Sequence, residues 1–209
     1  MKIKKLISAL VLGSMLVGLS GCNITDFSAE NLLRPPKAVG DEAEIEQLIA
    51  KTADSGYTLK YPKNGKFRSA IIMTDLDGND SNEAGAFFRN SAETSSVHML
   101  VMYAKDNSWE IASDNIFETT DIDSVDFADL TGNGKAEIIV NSTTYTPNVG
   151  KLSCYSYSEG KTNEVGSGQS CSSFVTGDFD NDGTSEIMSF VLYTTENEAL
   201  APMLDYNEA

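Results

Sequence analysis

Histidine and tryptophan each occur once in 209 residues, cysteine three times, and basic residues number 15 against 31 acidic ones. Each shortage removes a class of function. His98, the single histidine, lies inside the apolar run Val97–Tyr103, where a packed imidazole is expected rather than a catalyst. No Gly-x-Ser-x-Gly elbow exists, which takes away the most direct hydrolase reading. Gly160-Lys161-Thr162 imitates the end of a phosphate loop, but the glycine required five places earlier is Tyr155, so the segment reads as a hairpin turn. Too few lysines and arginines are present to displace counterions from nucleic acid, and adhesion to an anionic bilayer by charge is excluded on the same ground. Paired carboxylates abound, yet they stand in the register of metal loops, so no separate glycosidase signature can be read from them. The chain is therefore not expected to be an enzyme.

What the chain does have begins at its amino terminus. Lys2, Lys4 and Lys5 precede the apolar stretch Leu6–Val17, and Leu19-Ser20-Gly21-Cys22 follows with small residues before a cysteine. This is the layout of a secretory leader, too short and too weakly flanked to span a membrane. The Leu-Ser-Gly-Cys tail resembles a bacterial lipobox. That resemblance implies cleavage after residue 21 and lipidation (palmitate among the acyl chains) at Cys22, the alternative being an ordinary signal peptide with an incidental cysteine. More than one acyl chain suffices for stable anchoring. Removal of residues 1–21 takes away three lysines and no acid, leaving 12 basic against 31 acidic residues, a net charge of −19. Residues 22–40 read as a tether, whose eighteen residues after Cys22 could reach at most about 60 Å. Residues 41–56 read as one short helix. Asp41 and Glu44 would form a capping box, Ile45, Leu48 and Ile49 one apolar face, and Gly56 the stop.

Three acidic loops punctuate the remainder. Asp178, Asp180, Asp182 and Glu186 fall at the first, third, fifth and ninth places of Asp-Phe-Asp-Asn-Asp-Gly-Thr-Ser-Glu. Asp129, Thr131, Asn133 and Glu137 occupy the same places 49 residues earlier, and Asp75, Asp77, Asn79 and Glu83 another 54 before that. A period near fifty is the mark of a repeat architecture. Alternate oxygen-bearing side chains on a tight loop suit calcium, which takes six to eight oxygen ligands. Thr184 would add its carbonyl, and Gly183 the sharp turn. An EF-hand is excluded, because its twelfth place here is Ser189 and the flanks Phe174-Val175 and Ile187-Met188 read as strands. The competing reading is a plain turn in which Asp side chains bond their own backbone. Three acids plus Glu186 favour calcium in the third loop; the second is evenly balanced; the first, with Asp80 where glycine is expected, reads as a turn.

The pattern apolar-x-Gly-Asp-Phe-Asp-x-Asp-Gly-x-x-Glu-apolar resembles the FG-GAP or VCBS repeat, the calcium-loop blade of integrin-type propellers, over roughly residues 57–209. The resemblance implies an all-β fold, a partial β-propeller of about two and a half four-stranded blades, with an acidic loop between the first two strands of each. Phe67–Thr74, Ala84–Arg89, Val97–Ala104 and Trp109–Ala112 would form one blade. Val125–Ala128, Glu137–Asn141, Lys151–Tyr157 and Asn163–Val165 would form the next. Ser173–Thr176, Ile187–Tyr193 and Pro202–Tyr206 would begin a third. Propellers close with four to eight blades, so the repeat domain is expected to be incomplete at its carboxyl end. Cys154 and Cys171 could form a disulfide worth about 3 kcal/mol, but two small buried strand residues are the favoured reading. The expectation is a membrane-anchored module on the extracytoplasmic face of a bacterial cell, holding calcium and binding a protein or glycan in surface interaction or adhesion. The alternative is an accessory or catalytic propeller acting on polysaccharide.

Overall fold

Residue patterning along the chain alternates between strands and tight acidic turns, and a computed structural model describes residues 40–54, 56–93, 95–143 and 149–192. The leader, Cys22, the tether up to residue 39 and the strand expected at Pro202–Tyr206 lie outside the described residues. What is described is mostly β, with one helix and three antiparallel sheets, none of them closed.

Helix α1 (Asp41–Ala53) carries Ile45, Ile49 and Ala53, all at 1% exposure or less, at a four-residue spacing along one face. The expected capping box does not form. Gly40 is the N-cap, with φ 64°, and no side chain caps the helix; its carbonyl accepts the amides of Ala43 and Glu44. Asp41 already lies inside the first turn, so Asp41, Glu42 and Glu44 act there through the helix dipole instead. The helix ends at Ala53, before Gly56, because Asp54 turns left-handed at φ 54°.

The first sheet is built from β1 (Tyr57–Leu59), β2 (Ile71–Thr74), β3 (Glu83–Asn90), β4 (Val97–Lys105) and β5 (Ser108–Phe117). Strands β3, β4 and β5 form a meander; β2 pairs with the first half of β3 and β1 with its second half, along the same edge. The second sheet is a four-stranded meander of β6 (Ile122–Ala128), β7 (Glu137–Thr143), β8 (Gly150–Ser158) and β9 (Lys161–Cys171). Strands β10 (Ser173–Gly177) and β11 (Glu186–Phe190) make an antiparallel hairpin. Strand β1 was not expected, β2 is shorter than Phe67–Thr74, and β5 and β9 run five and six residues beyond their expected ends. Phe67 instead packs edge-on against Phe127, ring centres 4.9 Å apart.

Three apolar cores separate four layers. Alternate residues of β4 face opposite ways: Val97, Met99 and Val101 join Phe87, Ile138, Val140, Tyr155 and Tyr157 between the two sheets. Leu100 and Met102, with Ala84, Ala86, Phe88 and Trp109, meet helix α1 on the other side. On the far face of the second sheet, Ile139, Leu152 and Cys171 are covered by Phe174 and Ile187 of the hairpin. A strand buried on both faces has no polar side to alternate with, which is why β4 and β7 read as continuous apolar runs. Each fully buried Ile or Phe contributes roughly 1.5–3 kcal/mol of transfer free energy.

Candidate metal centre

The acidic loops occupy equivalent places, between β2 and β3, between β6 and β7, and between β10 and β11. All three are built by the same local hydrogen bonds. The first-place aspartate accepts the amides of the fifth and sixth places: Asp75 from Asn79 (3.2 Å) and Asp80 (2.9 Å). Asp129 does so from Asn133 (3.1 Å) and Gly134 (2.7 Å), and Asp178 from Asp182 (3.0 Å) and Gly183 (2.9 Å). The fifth-place oxygen accepts the seventh-place amide, as Asn79 from Ser81, Asn133 from Lys135 and Asp182 from Thr184. The ninth-place glutamate accepts the second-place amide at 2.8 Å in every copy: Glu83 from Leu76, Glu137 from Leu130, Glu186 from Phe179.

This bonding needs two left-handed residues per loop. The sixth place supplies one in Asp80 (φ 67°), Gly134 (79°) and Gly183 (93°), so Asp80 takes the turn conformation without being glycine. The fourth place supplies the other in Gly78 (74°), Gly132 (69°) and Asn181 (63°). That second requirement escaped the sequence reading, although the recurrence of Gly, Gly and Asn at one place carries it. Gly78 and Gly132 are also crowded by the following loop. A Cβ on Gly78 would lie 2.8 Å from the Gly134 carbonyl oxygen, and one on Gly132 would lie 3.0 Å from Thr184 Oγ1. Successive loops are bonded to each other, Ala136 N donating to Leu76 O (3.0 Å) and Ser185 N to Asp129 O (2.9 Å).

The loops differ in the acids they assemble. Asp178, Asp180, Asp182 and Glu186 bring carboxylate oxygens within 4.8 Å of one another. Asp75, Asp77 and Glu83 do the same in the first loop, while the middle loop offers only Asp129 and Glu137 as carboxylates, with Thr131 and Asn133 as neutral oxygens. Burial separates the two acid-rich loops. The 178–186 cluster is largely exposed, whereas Glu83 is 3% exposed and Asp77 Oδ1 is buried with no hydrogen-bond partner. Burial raises the Glu83 carboxyl above the usual range, and Asp77 and Asp75 add to this, the Leu76 amide opposing. Asp75 is lowered: burial works upward, and the amides of Asp80, Gly78, Asn79 and Asp77 outweigh it. Tyr157, reaching in from β8, is pushed up to about 12 by burial and by Glu83 and Asp77. The first loop thus resembles a plain turn less than its sequence suggested, because three converging carboxylates with an orphaned oxygen are short of positive charge. Both acid-rich clusters could hold a metal ion, and all-oxygen donors suit a hard cation such as calcium.

The other singled-out residues fall elsewhere. His98 is buried against Phe88, its Nδ1 within 2.9 Å of Asp114 and its Nε2 within 3.2 Å of Glu93. Cys154 lies opposite Gly166 and Cys171 opposite Gly150 in the β8–β9 ladder. Four residues along a strand is about 13 Å, beyond the reach of a disulfide, and both thiols are free. Burial pushes both upward, so they pack as small inert side chains. Compared with models of protein families, with curated proteins and with solved structures, the chain matches none.

Proposed function

We propose that this chain is a membrane-anchored, extracytoplasmic calcium-binding repeat module, built as a partial β-propeller and used for surface interaction or adhesion. The observation that carries the reading is the threefold recurrence of one loop geometry, with acids converging in two of the copies. The run β2–β5 of the five-stranded sheet, the four-stranded meander β6–β9 and the β10–β11 hairpin, each with its acidic loop after the first strand, are what successive blades would supply. Neighbouring units are also bonded near their first strands: Lys63 and Asn64, in the segment between β1 and β2, donate backbone amides to the Ile122 and Asp123 carbonyls of β6, and Thr176 of β10 donates to Asp126 of β6 at 2.6 Å. The leader with its Leu-Ser-Gly-Cys tail supports anchoring at Cys22, and the acidic surface suits a solvated module outside the cell.

Calcium titration of the protein, followed by calorimetry and melting temperature with magnesium as the control cation, tests the reading. Binding at about 10⁻⁴–10⁻³ M is expected, as for extracellular modules. Asp180→Ala should remove the heat from the 178–186 loop while leaving the loop's Asp178 and Glu186 backbone bonds in place. If calcium produces neither heat nor a rise in melting temperature, the loops are turns.

A further inference from the structure

We propose that the outward face of the β10–β11 hairpin is a docking surface for a second copy of this chain, packed face to face about a two-fold axis that crosses the strands. Register identifies the face. Val175 pairs with Met188 where Ile72 pairs with Gly85 in the first unit and Asp126 with Ile139 in the second, each three places before and ten places after the first aspartate of its loop. Phe190 stands where Phe87 and Asn141 stand, and Phe179 where Leu76 and Leu130 stand. In the earlier units these places meet the next unit: Ile72, Leu76 and Phe87 are buried against the second sheet, and Ile139 against the hairpin. In the hairpin they face solvent, Phe179 being 50% exposed and Phe190 49%. The hairpin thus carries a seam surface that the described residues leave open.

The surface is apolar along its length. Of the ten exposed large apolar side chains among the described residues, five (Val175, Phe179, Met188, Phe190 and Leu192) fall on this hairpin and its ends, and apolar side chains gathered in one patch mark an interaction site. Ser173 and Gly177 complete the outward row of β10, so no charge interrupts it. The Phe179 ring lies over Gly177, 3.4 Å from where a Cβ would stand, and carries the apolar face to the start of the loop.

The rest of the molecule narrows what covers it. Surfaces that receive a seam are already filled: helix α1 covers the first sheet, the first sheet covers the second, and the second covers the inner side of the hairpin. A second copy therefore has no receptive face to offer head to tail, and the matching apolar surface left among its described residues is the same hairpin face. Two such faces agree in width and polarity, and pairing like with like closes the assembly at two. Charge fixes the orientation. Asp178, Asp180, Asp182 and Glu186 crowd one end of the hairpin, and in a chain of net charge −16 those ends repel one another. An axis along the strands would bring the two loops together. An axis across the strands sets them at opposite ends, in the aligned packing that sheets adopt face to face.

Sedimentation of the full chain exported with Cys22→Ala, so that no acyl chain drives association, reads the pairing. A reversible monomer–dimer equilibrium is expected, with the weak affinity of an interface below about 1,200 Å², and it should tighten as added salt screens the acidic chains. Phe190→Glu should weaken it at least about tenfold, whereas Ile116→Glu, at an exposed position of β5, should leave it unchanged. Both replaced side chains are exposed, so melting curves should show both variants folded. A monomer at every concentration, an open polymer, or equal loss in the two variants overturns the proposal. So does a monomer whose Met188→Cys thiol resists maleimide, the result expected if residues 193–209 cover the face instead. Calcium in the 178–186 loop, on the reading above, should tighten the dimer by lowering the charge at its ends; the pairing itself does not rest on that reading. Calcium heat without pairing overturns the interface and leaves the metal reading, and pairing without calcium heat does the reverse.

Discussion

Asp121 is where single side chains join the two sheets. Its carboxylate accepts Lys60 Nζ at 2.8 Å and Lys63 Nζ at 3.2 Å, both from the segment after β1, while its carbonyl accepts Thr143 and Thr119. Burial acts to raise this carboxyl, and Lys60 and Lys63 outweigh it, so it titrates below the ordinary aspartate range. A carboxylate depressed on folding contributes stability that is complete above its unfolded pKa and is lost as pH falls through the folded value. Asp121→Asn should therefore cost about 1 kcal/mol at neutral pH. The difference from the unmodified protein should shrink as pH falls below about 4, which urea melts across the acid range can follow. A penalty independent of pH would assign the residue a packing role only. Glu83 has the opposite sign. Its raised carboxyl makes ionisation a cost in the metal-free protein, so Glu83→Gln, which keeps an oxygen for the Leu76 amide, should melt no lower without calcium and should lose the stabilisation that calcium confers.

Gly150 shows how one element is fitted to its neighbours. It opens β8 beside β7 and β9, and a Cβ there would meet the Asn141 side chain, the Ser142 carbonyl at 2.7 Å and the Cys171 carbonyl at 2.9 Å. Gly85 in β3 has open space in the same test. Gly150→Ala should cost about 1–3 kcal/mol through overpacking, whereas Gly85→Ala should be neutral or slightly stabilising through reduced chain entropy. Equal effects in denaturant melts would refute this account of the β8 junction. The same contrast marks what could be read from sequence. Strands β4 and β7 were legible because Val97–Met102 and Ile138–Val140 are apolar without interruption, and the loops because their ligating places lie within nine residues. The far ends of β5 and β9 were not, since Ser113–Asn115 and Ser167–Ser170 are held by the ladder and not by an apolar face. Strand β1 is three residues long and its pairing partner lies some thirty residues away. The separation of Cys154 from Cys171 and the orphaned oxygen of Asp77 depend on register and burial, which the order of residues does not display.

The whole molecule, as far as it is described, is a stack in which helix, sheet, sheet and hairpin each cover the face of the one before. The hairpin's outward face is apolar, with Val175, Met188 and Phe190 all 45–49% exposed. The proposed anchoring belongs to the full chain, and intact mass of the exported protein tests it. A species beginning at Cys22 and heavier than the unmodified polypeptide by its acyl chains is expected, and Cys22→Ala should release the protein from membranes. An unmodified mass, or retention of residues 1–21, would refute the anchor. The bonds that Ala136 and Ser185 make to the preceding loop have a mechanical consequence. They place one rung at the seam between the two sheets and one at the seam between the second sheet and the hairpin, next to the acids, so a cation there would rivet a seam as well as fill a loop. If the proposed adhesive role holds, tension between a cell surface and a captured ligand would open such a stack seam by seam. Its toughness would then follow the calcium concentration of the surrounding fluid, and each seam that opened would lengthen the tether without releasing the load.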